Sequence, residues 1–363
     1  MSFSLPLHQS WPHPDDPKPI ILIGAGGIVR DAHLPAYKKA GFSIAGVVDI
    51  DQNRAQEVAK DWAIPVVYPD LAAATSAGGT GVVYDIATPP QNIMDILPLL
   101  PDGVGVLIQK PMGPDQAEAR RIRALCREKN LKAAVNFQLR FAPMMMAARD
   151  AIQRGLLGEL LEIEVHLNVY TPWHLFAFLI PMKRVELSVH SIHYLDTIRA
   201  FAGNPRGVFA RTMGDPRAKD FAQTRTTVIL DYPQPLRSLM SINHNHQGDS
   251  TYHTARFRIE GTDGALMIKL GVMYDYPKGA PDELWFCKNG GAPEQIDLEG
   301  SWFVDAFMGT MRNVQRYVAG QDDHLNAGIE DAYQTMALVE ACFTAAKAPS
   351  IPLTLDGLDG HPT

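Results

Sequence analysis

The sequence predicts an α/β protein in which a doubly wound parallel sheet is followed by an α+β domain with a large, open, mainly antiparallel sheet. Two observations predict this order. Up to about residue 135, short apolar runs alternate with helical patterns, which is typical of repeated βα units. Beyond that point, segments of alternating polar and apolar residues follow one another with turn residues between them, as in a sheet that buries one face.

The overall composition restricts the classes of protein and ligand. A chain of 363 residues has room for two domains with separate cores. Its formal net charge of -7 argues against a nucleic-acid partner, because binding a phosphate backbone requires a basic surface. The three cysteines are far apart and lack C-x-x-C spacing, so a disulfide framework or a structural zinc site is not predicted. We therefore expect a cytoplasmic protein with a small-molecule ligand.

Residues 1–19 are predicted to form an extended arm, because they contain five prolines. They lack the basic start and long apolar run of a signal peptide. No apolar run elsewhere approaches the roughly 20 residues that span a bilayer, so no membrane partner is expected.

Residues 20–135 are predicted to form the first domain. An apolar run ended by glycine begins it, as expected for a strand that is buried on both faces of a parallel sheet. The predicted strands are Ile20–Ile23, Phe42–Asp49, Val82–Ala87 and Gly105–Ile108, and the predicted helices are Ile28–Ala40 and Arg54–Trp62. Right-handed crossovers between such units place the ligand crevice at the carboxyl ends of the strands.

A glycine turn follows the first strand and predicts a dinucleotide site. Gly24 suits the tight turn, and Gly26 lets the backbone approach a pyrophosphate at the start of the next helix. Gly27 and Ile28 complete this cofactor-binding segment. Val29 stands where a third glycine is usual, and we interpret it as a packing variant, since that position mainly governs how closely the helix packs on the strand.

An acidic residue at the end of the second strand supports the same interpretation. Asp49 lies where a carboxylate accepts hydrogen bonds from ribose hydroxyls, and it would repel a 2′-phosphate. The sequence therefore favours NAD over NADP. Arg54 is close enough in sequence to leave NADP as the less favoured alternative.

Residues 136–363 are predicted to form the second domain, with the substrate between the two domains. Its predicted strands are Leu161–Val169, Val208–Arg211, Thr226–Asp231, Leu239–Asn245, Ala255–Glu260 and Ala265–Lys269. Helical patterns lie at Pro143–Arg154, Val185–Phe201, Phe303–Ala319 and Ile329–Ala346.

Five motifs occur in an order that resembles the Gfo/Idh/MocA family, named for glucose–fructose oxidoreductase, inositol dehydrogenase and a rhizopine-catabolism protein. They are Gly24–Ile28, Ala87–Pro90, Gln109–Pro111, Asn136–Pro143 and Glu260–Gly264. The resemblance implies a Rossmann domain, a substrate domain built on an open sheet, and metal-free hydride transfer between NAD(P) and sugars or polyols. It also implies a homodimer or homotetramer that covers the exposed face of the sheet.

The resemblance carries a catalytic role over to Lys110, which is expected to contact both the cofactor and the reacting hydroxyl. Thr88, Pro89 and Pro90 would lie near the nicotinamide. An ammonium group at Lys110 would polarise the substrate oxygen as it loses its proton. Gln109 stands where the family has glutamate, so we hypothesise that the pKa of Lys110 is lower than the family pattern gives.

A histidine-containing segment carries the second implied catalytic motif, and two registers compete there. Anchoring the motif on His193 places Asp196 three residues later and puts Val189 where relatives have aspartate. Anchoring it on His190 puts Glu186 in the acidic position. Positions 186, 190 and 193 share one face of an ideal helix. We predict His193 as the general base, with His190 or Glu186 orienting it or the substrate.

Glu186, His190 and His193 also offer ligand types that bind zinc. We expect no metal, because the chemistry that the resemblance implies needs none.

Further polar and aromatic residues are candidates for the substrate pocket. An aromatic ring after the first strand of the second domain can stack on a sugar, or it can serve ordinary packing. Arg140 either contacts substrate or ties the two domains together. His244 and His246 are interpreted as sheet-surface or oligomer-contact residues, since they alternate along a predicted strand. The substrate candidates are Asn136, Arg140, Tyr170, Trp173 and His174, together with Lys110, His190 and His193.

The sequence thus predicts an NAD-dependent oxidoreductase that acts on a sugar, a polyol or a related cyclic hydroxyl compound. His193 would be the base, and Lys110 would polarise the reacting oxygen. Two alternatives stay open. One is a sugar eliminase or glycosidase that recycles NAD, and the other is a non-catalytic regulator that senses nucleotide or sugar.

Overall fold

The structure is a computed structural model that describes residues 6–274, 276 and 279–350. Residues 1–5 of the predicted arm and residues 351–363 of the predicted second domain lie outside the described residues. Two sheets with helices around them form the described part, which confirms the predicted fold class.

The first sheet is parallel throughout, and its strands are short and almost entirely buried. Within the described residues it comprises β1 (Ile20–Ile23), β2 (Ile44–Val48), β3 (Val83–Ile86), β4 (Gly105–Ile108) and β5 (Lys132–Val135), in the order β2-β1-β3-β4-β5. Its helices are α1 (Leu34–Ala40), which a π turn over Val29–His33 precedes, α2 (Gln52–Trp62), α3 (Leu71–Gly78), α4 (Ile93–Ile96) and α5 (Gln116–Glu128). β2 lies on one side of β1 and β3 lies on the other, so the strand order reverses between β1 and β3. In a parallel sheet this reversal places the ligand crevice at the carboxyl ends of those two strands.

Aspartates at the start of three helices explain where those helices begin. The side chains of Asp51, Asp70 and Asp115 each accept a hydrogen bond from the backbone N–H three residues later. Such N-caps satisfy donors that have no partner within the helix.

The second sheet is mainly antiparallel, and β6 and β9 form its parallel pair in the described part of the chain. The elements, in chain order, are α6 (Pro143–Gln153), β6 (Leu160–Asn168), a π turn over Leu187–Ser191, α7 (Ile192–Ala202), β7 (Gly207–Met213), β8 (Arg225–Asp231), β9 (Arg237–Asn243), β10 (Thr254–Gly261), β11 (Gly264–Lys269), β12 (Glu283–Lys288), β13 (Glu294–Ile296), α8 (Asp305–Val318) and α9 (Ile329–Ala345). The strand order is β13-β12-β11-β10-β6-β9-β8-β7. Burial alternates along β7 to β11, so one face packs on helices and the other faces outward.

Helix α8 packs on the first sheet although it follows the second sheet in the sequence. Its residues Phe307, Met311 and Val314 share a core with Leu22 of β1. Gly105 of β4 allows this close approach, because a Cβ there would lie 2.6 Å from the side chain of Val318. Residues far beyond position 135 therefore complete the core of the first sheet.

The described part of the N-terminal arm contacts residues that lie far along the chain. Trp11 donates from Nε1 to Asp322 Oδ2 at 2.7 Å, and its ring packs edge-on against Phe141. His13 stacks on Phe42, and its carbonyl accepts a hydrogen bond from Arg316. The described part of the arm therefore contacts residues of both predicted domains.

No helix among the described residues is long and apolar enough to cross a membrane. The three cysteines are free, and Cys126 and Cys342 are buried.

Candidate active site

The glycine turn after β1 is fixed by a close contact with the end of β3. Gly24 has a φ of +109°, and a Cβ at this position would lie 2.6 Å from the carbonyl oxygen of Ala87. Glycine alone avoids both the strain and the clash. At Gly26, by contrast, a Cβ would meet no atom within 4 Å. The backbone of Gly26 therefore borders open space.

A helix begins directly at this open space, which suits a pyrophosphate. The N–H groups of Val29 and Arg30 both donate to the carbonyl of Gly26, at 3.1 and 3.3 Å. A helix N-terminus favours an anion through its free N–H groups and its dipole. Val29 itself is fully buried within the π turn, consistent with its interpretation as a packing residue.

The acidic residue predicted to bind ribose lies beside the glycine turn. Asp49 Oδ2 accepts a hydrogen bond from the N–H of Ala25 at 2.7 Å, and Oδ1 accepts one from the N–H of Asp51 at 2.8 Å. A carboxylate has capacity for about four hydrogen bonds, so ribose hydroxyls can still be accommodated. The guanidinium of Arg54 lies 3.8 Å from Asp49 Oδ1.

Thr88 supplies a further indication that this crevice holds a ligand. Its hydroxyl oxygen is buried and has no hydrogen-bond partner among the described residues. Pro90 opens a short 3-10 turn next to it, after Pro89. Because buried hydroxyls normally have a partner, the residues at the ends of β1 and β3 fit a bound dinucleotide.

Lys110 connects the first sheet to the helical segment that carries the histidines. It follows β4 closely, and its Nζ donates to the backbone carbonyl of Val189 at 3.0 Å. In the register anchored on His193, Val189 stands where relatives have aspartate, and here its backbone carbonyl accepts the hydrogen bond from Lys110. Burial lowers the pKa of Lys110 to about 8. Gln109 accepts a hydrogen bond from the Lys110 N–H through Oε1.

The π turn over Leu187–Ser191 determines which way the two histidines point. His190 packs against His244 with ring centroids 4.5 Å apart, whereas His193 lies edge-on to Trp302 at 6.1 Å. A π turn contains an extra residue relative to an α-helix and is often found at functional sites. The two histidines therefore have different neighbours, although an ideal helix would place them on one face.

Both histidines are uncharged near neutral pH. Desolvation, followed by the charge of Lys110, lowers the pKa of His193 well below 6.5. The pKa of His190 is lowered similarly by desolvation, then by His244, Lys110 and His193. The Nδ1 atoms of both rings are buried without a hydrogen-bond partner in the described part of the protein. Each ring can therefore accept or donate a proton at a ligand.

Glu186 is fully buried and supports His244 rather than His193. Its Oε1 accepts a hydrogen bond from Ser191 Oγ at 2.6 Å and lies 3.5 Å from His244 Nε2. The sequence predicted that Glu186 or His190 orients His193 or the substrate. The Glu186 contacts in the structure are instead with Ser191 and His244.

His244 is a member of the site that sequence reasoning missed. Its side chain is fully buried, and Nδ1 lies 2.9 Å from the hydroxyl of Thr171. The interpretation of His244 as a surface or oligomer-contact residue was wrong. The alternation argument failed because β9 ends at Asn243, and His246 lies instead against His253.

Arg140 and Asp196 belong to a separate buried cluster. The Asp196 carboxylate accepts from Arg140 Nε at 2.5 Å and Nη2 at 2.6 Å, and from Thr335 Oγ1 at 2.7 Å. Arg140 Nη1 donates to the carbonyl of Asn326, and Nη2 contacts Asp331. Because protein groups occupy this guanidinium, the arrangement favours its role as a tie between segments over substrate contact.

The other substrate candidates are divided between the site and the surface. Trp173 packs beside His190 and His244, and its Nε1 donates to Asn245 at 2.7 Å. Tyr170 and His174 are exposed. Asn136 is buried, with Nδ2 3.4 Å from His33. Among the described residues, no group of three or more His, Cys, Asp or Glu is arranged to hold a metal ion.

A glycine turn that fits a dinucleotide, and a buried lysine that follows another strand of the same parallel sheet, are typical of a nicotinamide-dependent oxidoreductase. Comparison with protein families gives the particular family. Residues 18–137 match the NAD-binding Rossmann fold of the Gfo/Idh/MocA oxidoreductases, and residues 145–267 match the C-terminal domain of the same family. The two matches cover more than half of the chain, so the protein belongs to this family, as its motifs predict. The predicted NAD cofactor is likewise confirmed, since the matching family model is NAD-binding.

Individual relatives agree with this assignment. The chain is 24% identical to D-apiose dehydrogenase of Paraburkholderia graminis, over 90% of this chain and 87% of the relative. It is 29% identical to trans-1,2-dihydrobenzene-1,2-diol dehydrogenase of Bos taurus, over 68% of this chain and 72% of the relative. A solved oxidoreductase from Agrobacterium radiobacter, in complex with NAD+, L-tartaric acid and magnesium, has the same fold, with a TM-score of 0.76 at 21% identity. That alignment covers 91% of this chain and 96% of the solved one.

Proposed function

We propose that this protein oxidises a secondary alcohol of a sugar, a polyol or a related cyclic hydroxyl compound, or reduces the corresponding ketone, with NAD. One observation carries the proposal. Lys110, which follows β4 of the sheet that bears the glycine turn, donates from Nζ to the carbonyl of Val189 at 3.0 Å, four residues before His193. A cation and a neutral base together can hold and deprotonate one alcohol. The relatives named as sugar and diol dehydrogenases support this substrate class.

The proposed roles follow from the chemistry of each group. His193 removes the hydroxyl proton through its unpartnered ring nitrogen, and Lys110 polarises the oxygen as its negative charge grows. NAD, when bound, supplies the hydride acceptor. Gly24, Gly26, Gly27, Ile28, Asp49 and Thr88 to Pro90 would hold it, with Lys110 at its substrate side. Burial of the histidines excludes water from the proton transfer.

Asp49 supports NAD over NADP in this proposal. Its carboxylate lies at the glycine turn, where it would accept ribose hydroxyls and repel a 2′-phosphate. Arg54 is half-exposed beside it and is the residue that could attract a 2′-phosphate.

The test is an NADH-fluorescence screen of aldoses, inositols, sugar acids and glycosides with NAD and with NADP. Accumulation of NADH with a free sugar or polyol is the expected result. Formation of elimination or cleavage products without net NADH would instead indicate an NAD-recycling eliminase or glycosidase. Tight NAD binding without turnover of any compound would indicate a regulator and overturn the proposal.

We also propose that two or four copies associate through the outward face of the second sheet. Phe209 of β7 and Ile229 of β8 are cross-strand neighbours on this face, and their side chains are 67% and 47% exposed. Apolar side chains in such a position favour association. Light scattering should give a dimer or tetramer for the wild type and a monomer for Phe209→Glu. The control is Leu99→Glu at an exposed site of the first domain, and a monomeric wild type would contradict the proposal.

A further inference from the structure

A buried polar cluster in the core of the first sheet takes no part in the proposed proton transfer. His33 Nδ1 lies 2.6 Å from Asp85 Oδ2, and the hydroxyl of Tyr37 donates to the same oxygen at 2.7 Å. On the other side of the imidazole ring, Asn136 Nδ2 lies 3.4 Å from His33 Nε2. All four side chains are buried. Because apolar side chains of similar shape would pack here about as well, packing alone does not account for the cluster.

The hydrogen bonds of the cluster have a consistent direction. Burial and the charge of Asp85 raise the pKa of Tyr37 well above 10, so its hydroxyl keeps the proton and donates it. The carboxylate of Asp85 accepts, so His33 donates from Nδ1, and Nε2 is left to the amide of Asn136. Asp85 Oδ1 has no hydrogen-bond partner among the described residues. The side chains of His33 and Tyr37 therefore hold this carboxylate through its other oxygen.

Strand β3 contacts the dinucleotide turn at both of its ends. At the start of the turn, a Cβ on Gly24 would lie 2.6 Å from the carbonyl oxygen of Ala87, which directly follows β3. At the far end, His33 is the last residue of the π turn that opens the helix, and its partner Asp85 lies in β3. The backbone of Gly26 lies between these two contacts and borders open space.

The second contact compensates for the missing third glycine of the turn. That glycine normally lets the helix pack closely on the strand, whereas Val29 is larger and is fully buried in the π turn. A π turn is a rare form that is often found at functional sites. The hydrogen bond from His33 to Asp85 ties this turn to the sheet. It thereby fixes the start of the helix, where a pyrophosphate fits.

We propose that His33 is a positioning residue for the cofactor, and that its hydrogen bond to Asp85 holds the start of the helix in place for the pyrophosphate of NAD. The residue acts on cofactor affinity and not on the chemical step. This inference goes beyond the proposed function, because it depends on the dinucleotide turn and not on which alcohol is oxidised.

Calorimetric titration of NAD and of ADP-ribose into full-length variants tests the proposal. Both ligands contain the pyrophosphate, so His33→Leu should weaken both by the same factor, about tenfold. Tyr37→Phe is the matched control, because it removes the other hydrogen bond to Asp85 Oδ2 from a residue outside the π turn. It should lower the urea midpoint of unfolding but keep the affinity for NAD within about twofold of the wild type. An equal loss of NAD affinity in the two variants, or none in His33→Leu, would overturn the proposal.

Two amides at position 33 separate the hydrogen bond from folding. His33→Asn places an N–H donor near the position of Nδ1 and should bring the affinity for NAD to within about threefold of the wild type. His33→Gln reaches the position of Nε2 instead and should bind NAD as weakly as His33→Leu. Both variants keep a polar side chain in the cluster, so their comparison stays valid if His33→Leu does not fold. Equal affinities of the two amide variants would contradict the role of the contact with Asp85.

Failure of the inference is distinguishable from failure of the proposed function, because calorimetry needs no substrate. A wild type that binds NAD but oxidises no compound contradicts the proposed function and leaves the comparison of affinities in force. With an oxidised substrate, His33→Leu should raise KM for NAD about tenfold and keep kcat at saturating NAD within about threefold of the wild type. A fall in kcat with an unchanged KM would place His33 in the chemical step and overturn the positioning role.

Discussion

Two buried polar clusters lie near helix α7, and they differ in how completely protein groups satisfy them. The paired cluster consists of Arg140, Asp196, Arg199, Asp331 and Thr335. The open cluster consists of Lys110, Glu186, His190, His193 and His244. In the first, opposite charges face one another. In the second, basic groups gather around one carboxylate, and three ring nitrogens lack a partner among the described residues.

The contrast teaches that burial alone does not identify a functional residue. His193 and Asp196 are three residues apart and both are buried, yet of the two only His193 has a side-chain polar atom without a hydrogen-bond partner among the described residues. A paired charge that loses its partner destabilises the fold, whereas an open group that is removed mainly affects the ligand. We therefore expect the paired cluster to govern stability and the open cluster to govern activity.

The largest effect is expected from His193→Asn. Loss of the general base should lower kcat by about 10²- to 10⁴-fold, while the free energy of unfolding changes little because the ring nitrogen has no protein partner. Steady-state kinetics and urea unfolding measure the two quantities. A variant with near-normal turnover would reject His193 as the base and direct attention to His190.

The second effect concerns stability. Arg140→Met leaves Asp196 buried without its main partner and should lower the free energy of unfolding by about 3–5 kcal/mol. Arg206→Met breaks an exposed pair with Asp231 and should change the free energy of unfolding little, which makes it the matched control. Urea unfolding measures both free energies. If the two variants lose the same free energy of unfolding, the paired cluster does not govern stability.

The third effect is a shift in pH dependence. The ammonium of Lys110 is lost as the pH rises through about 8, so kcat/KM should fall there. On the acidic side, His193 stays neutral until well below pH 6.5. Gln109→Glu adds a negative charge that stabilises protonated Lys110, so the alkaline limb should move upward by about one pH unit. Gln234→Glu adds the same charge in an exposed turn and is the control. If the alkaline limb of kcat/KM does not move in Gln109→Glu, residue 109 does not set the pKa of Lys110.

The smallest effect is expected at Asp49, which is paired with backbone N–H groups and yet is proposed to bind the ribose. Asp49→Asn should weaken NAD binding by about threefold to tenfold and narrow the preference for NAD over NADP, because the repulsion of a 2′-phosphate is lost. Calorimetric titration of both cofactors measures this. Unchanged affinities would show that Asp49 serves only the turn.

Local patterns account for much of what could be predicted. The strand at Ile20–Ile23 and the glycine turn depend on residues close to one another in sequence. Lys110 was placed correctly at the end of β4, because the carboxyl ends of parallel strands form the crevice. The packing of α8 on the first sheet could not be anticipated, since its apolar face fits either sheet by pattern alone.

The sequence by itself determined the two kinds of sheet and the dinucleotide turn, and it is the source of the proposal for Lys110 and His193, because each depends on short-range periodicity or on an ordered motif. Only the tertiary structure decided that Val189 holds Lys110 through its backbone, that Arg140 is tied to Asp196, and that His244 joins His190. Those contacts join residues more than 50 positions apart, and two of them involve residues of the π turn Leu187–Ser191. Hydrophobic periodicity contains no information about either.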